Sequence, residues 1–173
     1  VSFKKVIKAN EFFKDRLYHR IHKKAKPIIV ADRIKTPENM GMILRVASNA
    51  GCEKVVFIDS GQPVRHNKIK KTAQTSYDNI DWSICQPNEL DSLLPQDYHR
   101  IAIETATTAT SLFETQFPTG CVFFVGNEAS GLSESLLQQC SSTVYIPMPG
   151  NTVSMNVSHA LAVVLFEWVR QVS

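Results

Sequence analysis

Three short runs of almost unbroken apolar residues constrain the fold most: residues 28–31 (IIVA), 54–59 (KVVFID) and Cys121–Val125 (CVFFV). Side chains on a strand alternate between faces, so a strand that is apolar throughout needs cover on both sides. A mostly parallel sheet flanked by helices meets that condition. The intervening sequence supplies the helices. Residues 40–50 read as a helix closed by Gly51, and residues 67–76 as a basic helical stretch after the Gly61-Gln62-Pro63 turn. Residues 82–85 read as a short edge strand, 87–94 as a short helix and 100–105 as a strand. A helix over 133–140 has Ser133 as its expected N-cap, a last strand covers 143–146, and a last helix covers 155–171. The expectation is an α/β domain over residues 27–173, preceded by an amphipathic basic arm over 1–26.

Composition narrows the class. At 173 residues and 43% apolar, the chain fits one domain with a sizeable core. Its longest apolar run, 160–166, is far short of the ~20 residues a membrane helix needs. The first residues carry charges where a signal peptide has an apolar stretch, and the four cysteines form no CxxC pair. Reduced structural thiols, a cytoplasmic location and no metal site are expected.

Charge is unevenly placed. Residues 1–26 hold nine Lys and Arg, including Lys23 and Lys24, against Glu11 and Asp15, a balance of +7. The remaining residues hold ten basic and fourteen acidic side chains, a balance of −4. A clustered basic segment suits a polyanion partner, and it also suits a solvated helix face. Phe12, Phe13, Leu17, Tyr18 and Ile21 recur at helical spacing through the same segment. The last helix is apolar around most of its circumference, which points either to a homodimer contact or to deep burial.

Ligands of open α/β sheets sit beyond the carboxyl ends of the strands. No GxGxxG follows the first strand and no GxxxxGK[ST] is present, so a dinucleotide or nucleotide triphosphate site is unsupported. Three other loops concentrate Gly, Asn, Ser and charge: 37–45 (PENMGMILR), 126–132 (GNEASGL) and 146–156 (IPMPGNTVSMN).

These three segments, NxGxxxR, a strand running into GNExxGL, and IPMxG…SxNVSxA, resemble the three-motif signature of the SpoU-type RNA 2′-O-ribose methyltransferases of the SPOUT class. The resemblance covers about residues 27–170. It implies an α/β knot fold with a deep C-terminal trefoil knot, S-adenosylmethionine as cofactor and structured RNA as substrate, transfer RNA ahead of ribosomal RNA, with neither DNA nor a membrane as partner; the alternative is a non-catalytic RNA-binding module that keeps the knotted fold. It implies catalytic roles for Arg45, Asn39, Glu128, Ser154 and Asn156, and cofactor contacts at Thr105, Gly126, Asn127, Ile146, Met148 and Met155. An arginine there would hold phosphate and ribose and stabilise developing negative charge; a guanidinium is too basic to serve readily as the proton acceptor. Glycine at Gly126 and Gly150 would let a ligand lie against the backbone. Ser154 and Asn156 also suit the plainer role of capping the last helix. Lys23, Lys24, Arg45, Lys68, Lys70 and Lys71 are the candidate RNA contacts. One stretch departs from the family. Where members often continue with Ser-x-Gly-Ala, this chain reads Thr75-Ser76-Tyr77-Asp78-Asn79.

Overall fold

The computed structural model describes residues 6–13 and 26–173, with a short helix α1 (Ala9–Phe13) in the first segment. Lys23, Lys24 and most of the expected basic arm lie outside the described residues. In the second segment, β1 (Ile28–Asp32), β2 (Lys54–Ile58), β3 (Asp81–Cys85), β4 (His99–Ile103), β5 (Thr110–Ser111), β6 (Cys121–Val125) and β7 (Ser142–Tyr145) form one sheet in the order β3-β2-β1-β6-β4-β7-β5. Every strand pair in it is parallel.

Both faces are covered, as the continuous apolar strands require. On one face Ile29, Ala31, Val55, Phe57, Ile101, Ile103, Phe123 and Val125 pack against α2 (Pro37–Asn49), α3 (His66–Ala73) and α6 (Val157–Val172). On the other, Ile28, Val30, Val56, Ala102, Val122 and Phe124 meet Leu90 and Leu94, around the 3₁₀ turn Pro87–Leu93, and Leu136 of α5 (Glu134–Leu137). Trp168 of α6 is fully buried, and its indole N–H donates to the Pro118 carbonyl at 3.1 Å. No helix among the described residues is long and apolar enough to cross a membrane.

Several element ends differ from the sequence reading, each for a local reason. Helix α2 starts at Pro37, not at residue 40, because Pro is well suited to the first turn; Asn39 therefore stands on the helix. Strand β4 stops at Ile103, which leaves Glu104 and Thr105 in the following loop. The basic stretch over 67–76 is two helices, α3 and α4 (Ser76–Asn79), broken where Gln74 adopts φ +55°. Helix α5 is four residues long, and the Ser133 side chain makes no cap bond. Helix α6 starts at Val157, two residues later than expected, because Asn156 takes the N-cap; its side chain accepts the Ser158 N–H at 2.9 Å. The two-residue strand β5 carries no sequence signal of its own.

Candidate active site

The loops beyond the carboxyl ends of β1, β4, β6 and β7 meet around the segment 126–132. Its backbone closes on itself, with the N–H groups of Asn127 and Gly131 each donating to the other's carbonyl at 2.9 Å. The buried Asn127 amide holds the turn from within. Its oxygen accepts the N–H groups of Ala129 (2.9 Å) and Ser130 (3.3 Å), and its nitrogen donates to the Arg33 carbonyl at 2.6 Å. Arg33 itself has φ +48° and forks onto the buried Asp32 carboxylate at 2.9 and 3.1 Å. The same carboxylate accepts the Ser133 N–H at 2.8 Å.

Gly126 is required by this crossing. A Cβ there would stand 2.1 Å from the Leu132 nitrogen and 2.2 Å from the Gly131 carbonyl carbon. The protein's own backbone therefore requires this glycine, in addition to the ligand contact the sequence reading expected there. Around Gly150, by contrast, a Cβ would meet nothing within 4 Å.

Three residues from the three sequence-distant loops form one hydrogen-bonded relay. Glu128 accepts from the Asn39 side-chain nitrogen at 2.8 Å and from the Thr36 and Lys35 N–H groups at 3.3 and 3.5 Å. The Asn39 oxygen accepts from the Asn156 side-chain nitrogen at 3.0 Å, and the Asn156 oxygen caps α6 at Ser158. The ends of the chain fix both amide orientations. An ionised carboxylate only accepts and a backbone N–H only donates, so neither amide can flip without losing its bonds. Partial burial pushes Glu128 upward, but the bonds from Asn39, Thr36, Lys35 and its own backbone outweigh that and hold it below the usual carboxylate range. Glu128 is therefore an ionised brace at neutral pH.

Beside the relay is an open cleft of about 230 Å³. Thr105, Gly126, Asn127, Ile146, Met148 and Met155, the six expected cofactor residues, all line it, as do Glu128 and Ser154. Its walls include Ile103, Val144 and Ala160, and its only charged lining side chains are Glu104 and Glu128. A cleft with two carboxylates and no cation repels phosphates and favours a ligand carrying positive charge.

Arg45 joins neither the relay nor the cleft. It is exposed on α2, and its guanidinium has no hydrogen bond or ion pair among the described residues. Lys68 and Lys71 are exposed on α3, whereas Lys70 is paired with Asp78 at 2.9 Å. The sequence reading missed Glu104. One of its oxygens accepts the Leu132 N–H and the other the Thr105 N–H, both at 2.9 Å, which ties the end of β4 to the 126–132 loop. An acid placed directly after the apolar run Ile101-Ala102-Ile103 was the available signal. The four cysteines are free thiols; burial pushes Cys121 and Cys140 up to about 12, too high for a nucleophile at neutral pH. No cluster of metal-ligating side chains occurs among the described residues.

A model of the SpoU rRNA Methylase family matches residues 26–166. The chain is 31% identical over 146 residues to a 23S rRNA (guanosine-2′-O-)-methyltransferase, RlmB, of Xylella fastidiosa, a match covering 83% of this chain and 58% of that protein. The chain thus spans just over half the length of that relative. Among solved structures it resembles the SpoU methyltransferase AviRb of Streptomyces viridochromogenes in complex with AdoMet, at TM-score 0.77 and 24% identity, over 86% of this chain and 58% of that one. It also resembles a structure described as giving insight into 2′-hydroxyl methylation of C/U34 on tRNA, at TM-score 0.75 and 27% identity, over 84% of this chain and 95% of that one.

Proposed function

Because the chain belongs to the SpoU rRNA Methylase family, we propose that it transfers the methyl group of S-adenosylmethionine to a ribose 2′-hydroxyl of structured RNA. The observation that carries this reading is the Glu128–Asn39–Asn156 relay beside a cleft lined by acids and no cations. The cleft fits S-adenosylmethionine. Ile103, Val144, Ile146, Met148 and Met155 offer apolar walls to an adenine, and Glu104 and Glu128 offer a negative field to a sulfonium. When bound, that cofactor supplies an electrophilic methyl carbon.

The chain's own part is alignment more than covalent chemistry. Asn39 and Asn156, locked by Glu128 at one end and by the α6 N-terminus at the other, present fixed amides next to the cleft. Ser154, on the cleft wall, offers a hydroxyl to the ribose. Arg45 holds the RNA backbone and stabilises charge that develops on the attacking oxygen. Its separation from the cleft within one chain supports a homodimer in which each protomer's Arg45 serves its partner's cleft. The outward face of α6 supports the same assembly, since Phe166 and Val163 there are 50% and 36% exposed. The deep trefoil knot belongs to this reading, as do a cytoplasmic location and RNA contacts from Lys23, Lys24, Lys68 and Lys71.

Transfer RNA is the proposed substrate, ahead of ribosomal RNA. The match to the tRNA 2′-hydroxyl structure spans 95% of that chain, against 58% of the ribosomal-RNA relative. The test is methyl transfer from labelled S-adenosylmethionine to unmodified transfer RNA and, separately, ribosomal RNA, with the products digested to nucleosides. A 2′-O-methylated nucleoside that is lost in Arg45→Ala is expected from transfer RNA. Label on a base, or no product with either RNA, would overturn the reading.

A further inference from the structure

Resting on the RNA reading above, we propose that the His66–Tyr77–Trp82 cluster is a stacking platform for an unpaired RNA base next to the methylated nucleotide. Tyr77, one of the three, lies in the Thr75–Asn79 stretch that departs from the family pattern. Tyr77 and Trp82 meet at 5.3 Å between ring centroids, and His66 stands 5.9 Å from Trp82 at a 42° tilt. The His66 Nδ1 and the Tyr77 hydroxyl are 2.8 Å apart, and the Trp82 indole N–H donates to the Tyr77 carbonyl at 3.2 Å. Phe57 backs Trp82 from the core at 5.9 Å, edge to face. The rings thus run from the core outward, with the His66 ring exposed at the surface end. Rings placed to fill a core would end beneath the surface; these end in an orientation fixed by hydrogen bonds and open to solvent.

Charge surrounds the rings. Outside residues 1–26 the chain has ten Lys and Arg, and four of them, Arg65, Lys68, Lys70 and Lys71, fall within seven residues. Lys70 is held over the Tyr77 ring at 5.2 Å and paired with Asp78. The charged ends of Arg65, Lys68 and Lys71 have no ion pair among the described residues. Aromatic faces interleaved with unpaired cations fit a single-stranded nucleic acid, whose bases stack while its phosphates track the charges. An acidic protein surface would use the cations and leave the rings idle.

The platform is also fixed with respect to the relay. A Cβ on Gly41 would come within 2.7 Å of both the Ile69 carbonyl oxygen and the Thr72 Cβ, so α3 is seated directly on the first turns of α2, two residues from Asn39. A small groove lined by Lys35, Pro37 and Met40 beside α2 and by Val64 and Arg65 ahead of α3 lies between these two helices.

The chain has two tryptophans, and Trp168 is fully buried, so quenching of indole emission by a stacked base reports on Trp82. The whole chain would be titrated with unmodified transfer RNA and, in parallel, with heparin as a polyanion that has no bases. RNA should quench the emission and heparin should not. His66→Ala should weaken RNA binding and raise KM for RNA about ten-fold, with His66→Tyr recovering most of the loss. Circular dichroism and the melting temperature of each variant separate these effects from misfolding. Equal quenching by heparin marks a purely electrostatic patch and overturns the platform, as does an unchanged KM in His66→Ala while the wild type methylates RNA. A wild type that neither binds nor methylates RNA overturns the RNA reading itself, and the platform with it.

Discussion

Gly126 and Gly150 occupy comparable places in two of the three family motifs, yet the structure gives them different work. A methyl group on Gly126 would overlap the backbone of residues 131 and 132, and backbone cannot swing aside as a side-chain tip can. Gly126→Ala is therefore expected to cost about 3 kcal/mol or more in stability, read as a shift in denaturation midpoint. Gly150→Ala meets open space and should stay within about 0.5 kcal/mol of the parent. If a cofactor lies against Gly150, the same variant weakens S-adenosylmethionine binding with stability untouched, a split that calorimetry would detect. Glu128 allows a test by pH. Its proton is bound less tightly in the folded chain than in the unfolded one, so its ionised bonds stabilise the fold above the ordinary glutamate range. That contribution disappears as pH falls through the lowered folded value. The stability gap between the parent and Glu128→Gln should be widest near neutrality and close in acid; a gap independent of pH would remove the bracing role.

Three of the strands that bear on the site end in, or run into, a side chain that ties them to a neighbour. Strand β1 ends in Asp32, which takes the Ser133 N–H, and β4 is followed by Glu104, which takes the Leu132 N–H. Strand β6 is followed through Gly126 and Asn127 by Glu128, which takes two N–H groups ahead of α2. The relay from Glu128 through Asn39 to Asn156 then couples the start of α2 to the start of α6. Asn156→Ala removes the α6 cap and strands the Asn39 oxygen, for an expected loss of about 1–2 kcal/mol. Combining it with Asn39→Ala should cost less than the sum of the two single losses, because the shared bond can be lost only once. Strict additivity in that cycle would mean that the relay is not coupled. All the strands but β5, their mostly parallel pairing and the three converging loops were legible in the sequence, since apolar runs and Gly-Asn-Ser loops are local signals. The helix starts were less so, because Pro37 and Asn156 each stood in a loop-like context that only the folded partner resolves. Glu104 was missed because its role is a bond to residue 132, and nothing near position 104 announces that partner. The break at Gln74 was invisible for a related reason: the segment has no glycine, and its backbone takes a positive φ nonetheless.

On the scale of the whole molecule, the proposed reaction turns on where Arg45 acts. Within one chain the cleft is lined by acids and no cation, while the exposed arginine on α2 has no partner among the described residues. Cyclic pairing of two identical chains brings complementary incomplete halves together, each copy giving and receiving the same contact. The α6 face with Phe166 half exposed is the surface proposed for that pairing. Phe166→Glu should yield a monomer by sedimentation velocity with an unchanged circular dichroism spectrum, because the side chain is not part of the core. Complementation then decides whether the site is shared. Arg45→Ala damages the arginine half, and Ser154→Ala damages the cleft half. Co-expressed and randomly paired, half of the dimers would carry one chain of each kind. In such a dimer a shared site reunites the intact Arg45 of one chain with the intact cleft of the other, while the opposite site has both lesions. Activity of about a quarter of the parent is therefore expected from the mixture, with each variant alone near zero. If Arg45 instead serves the cleft of its own chain, every site in the mixture keeps one lesion, and mixing restores nothing.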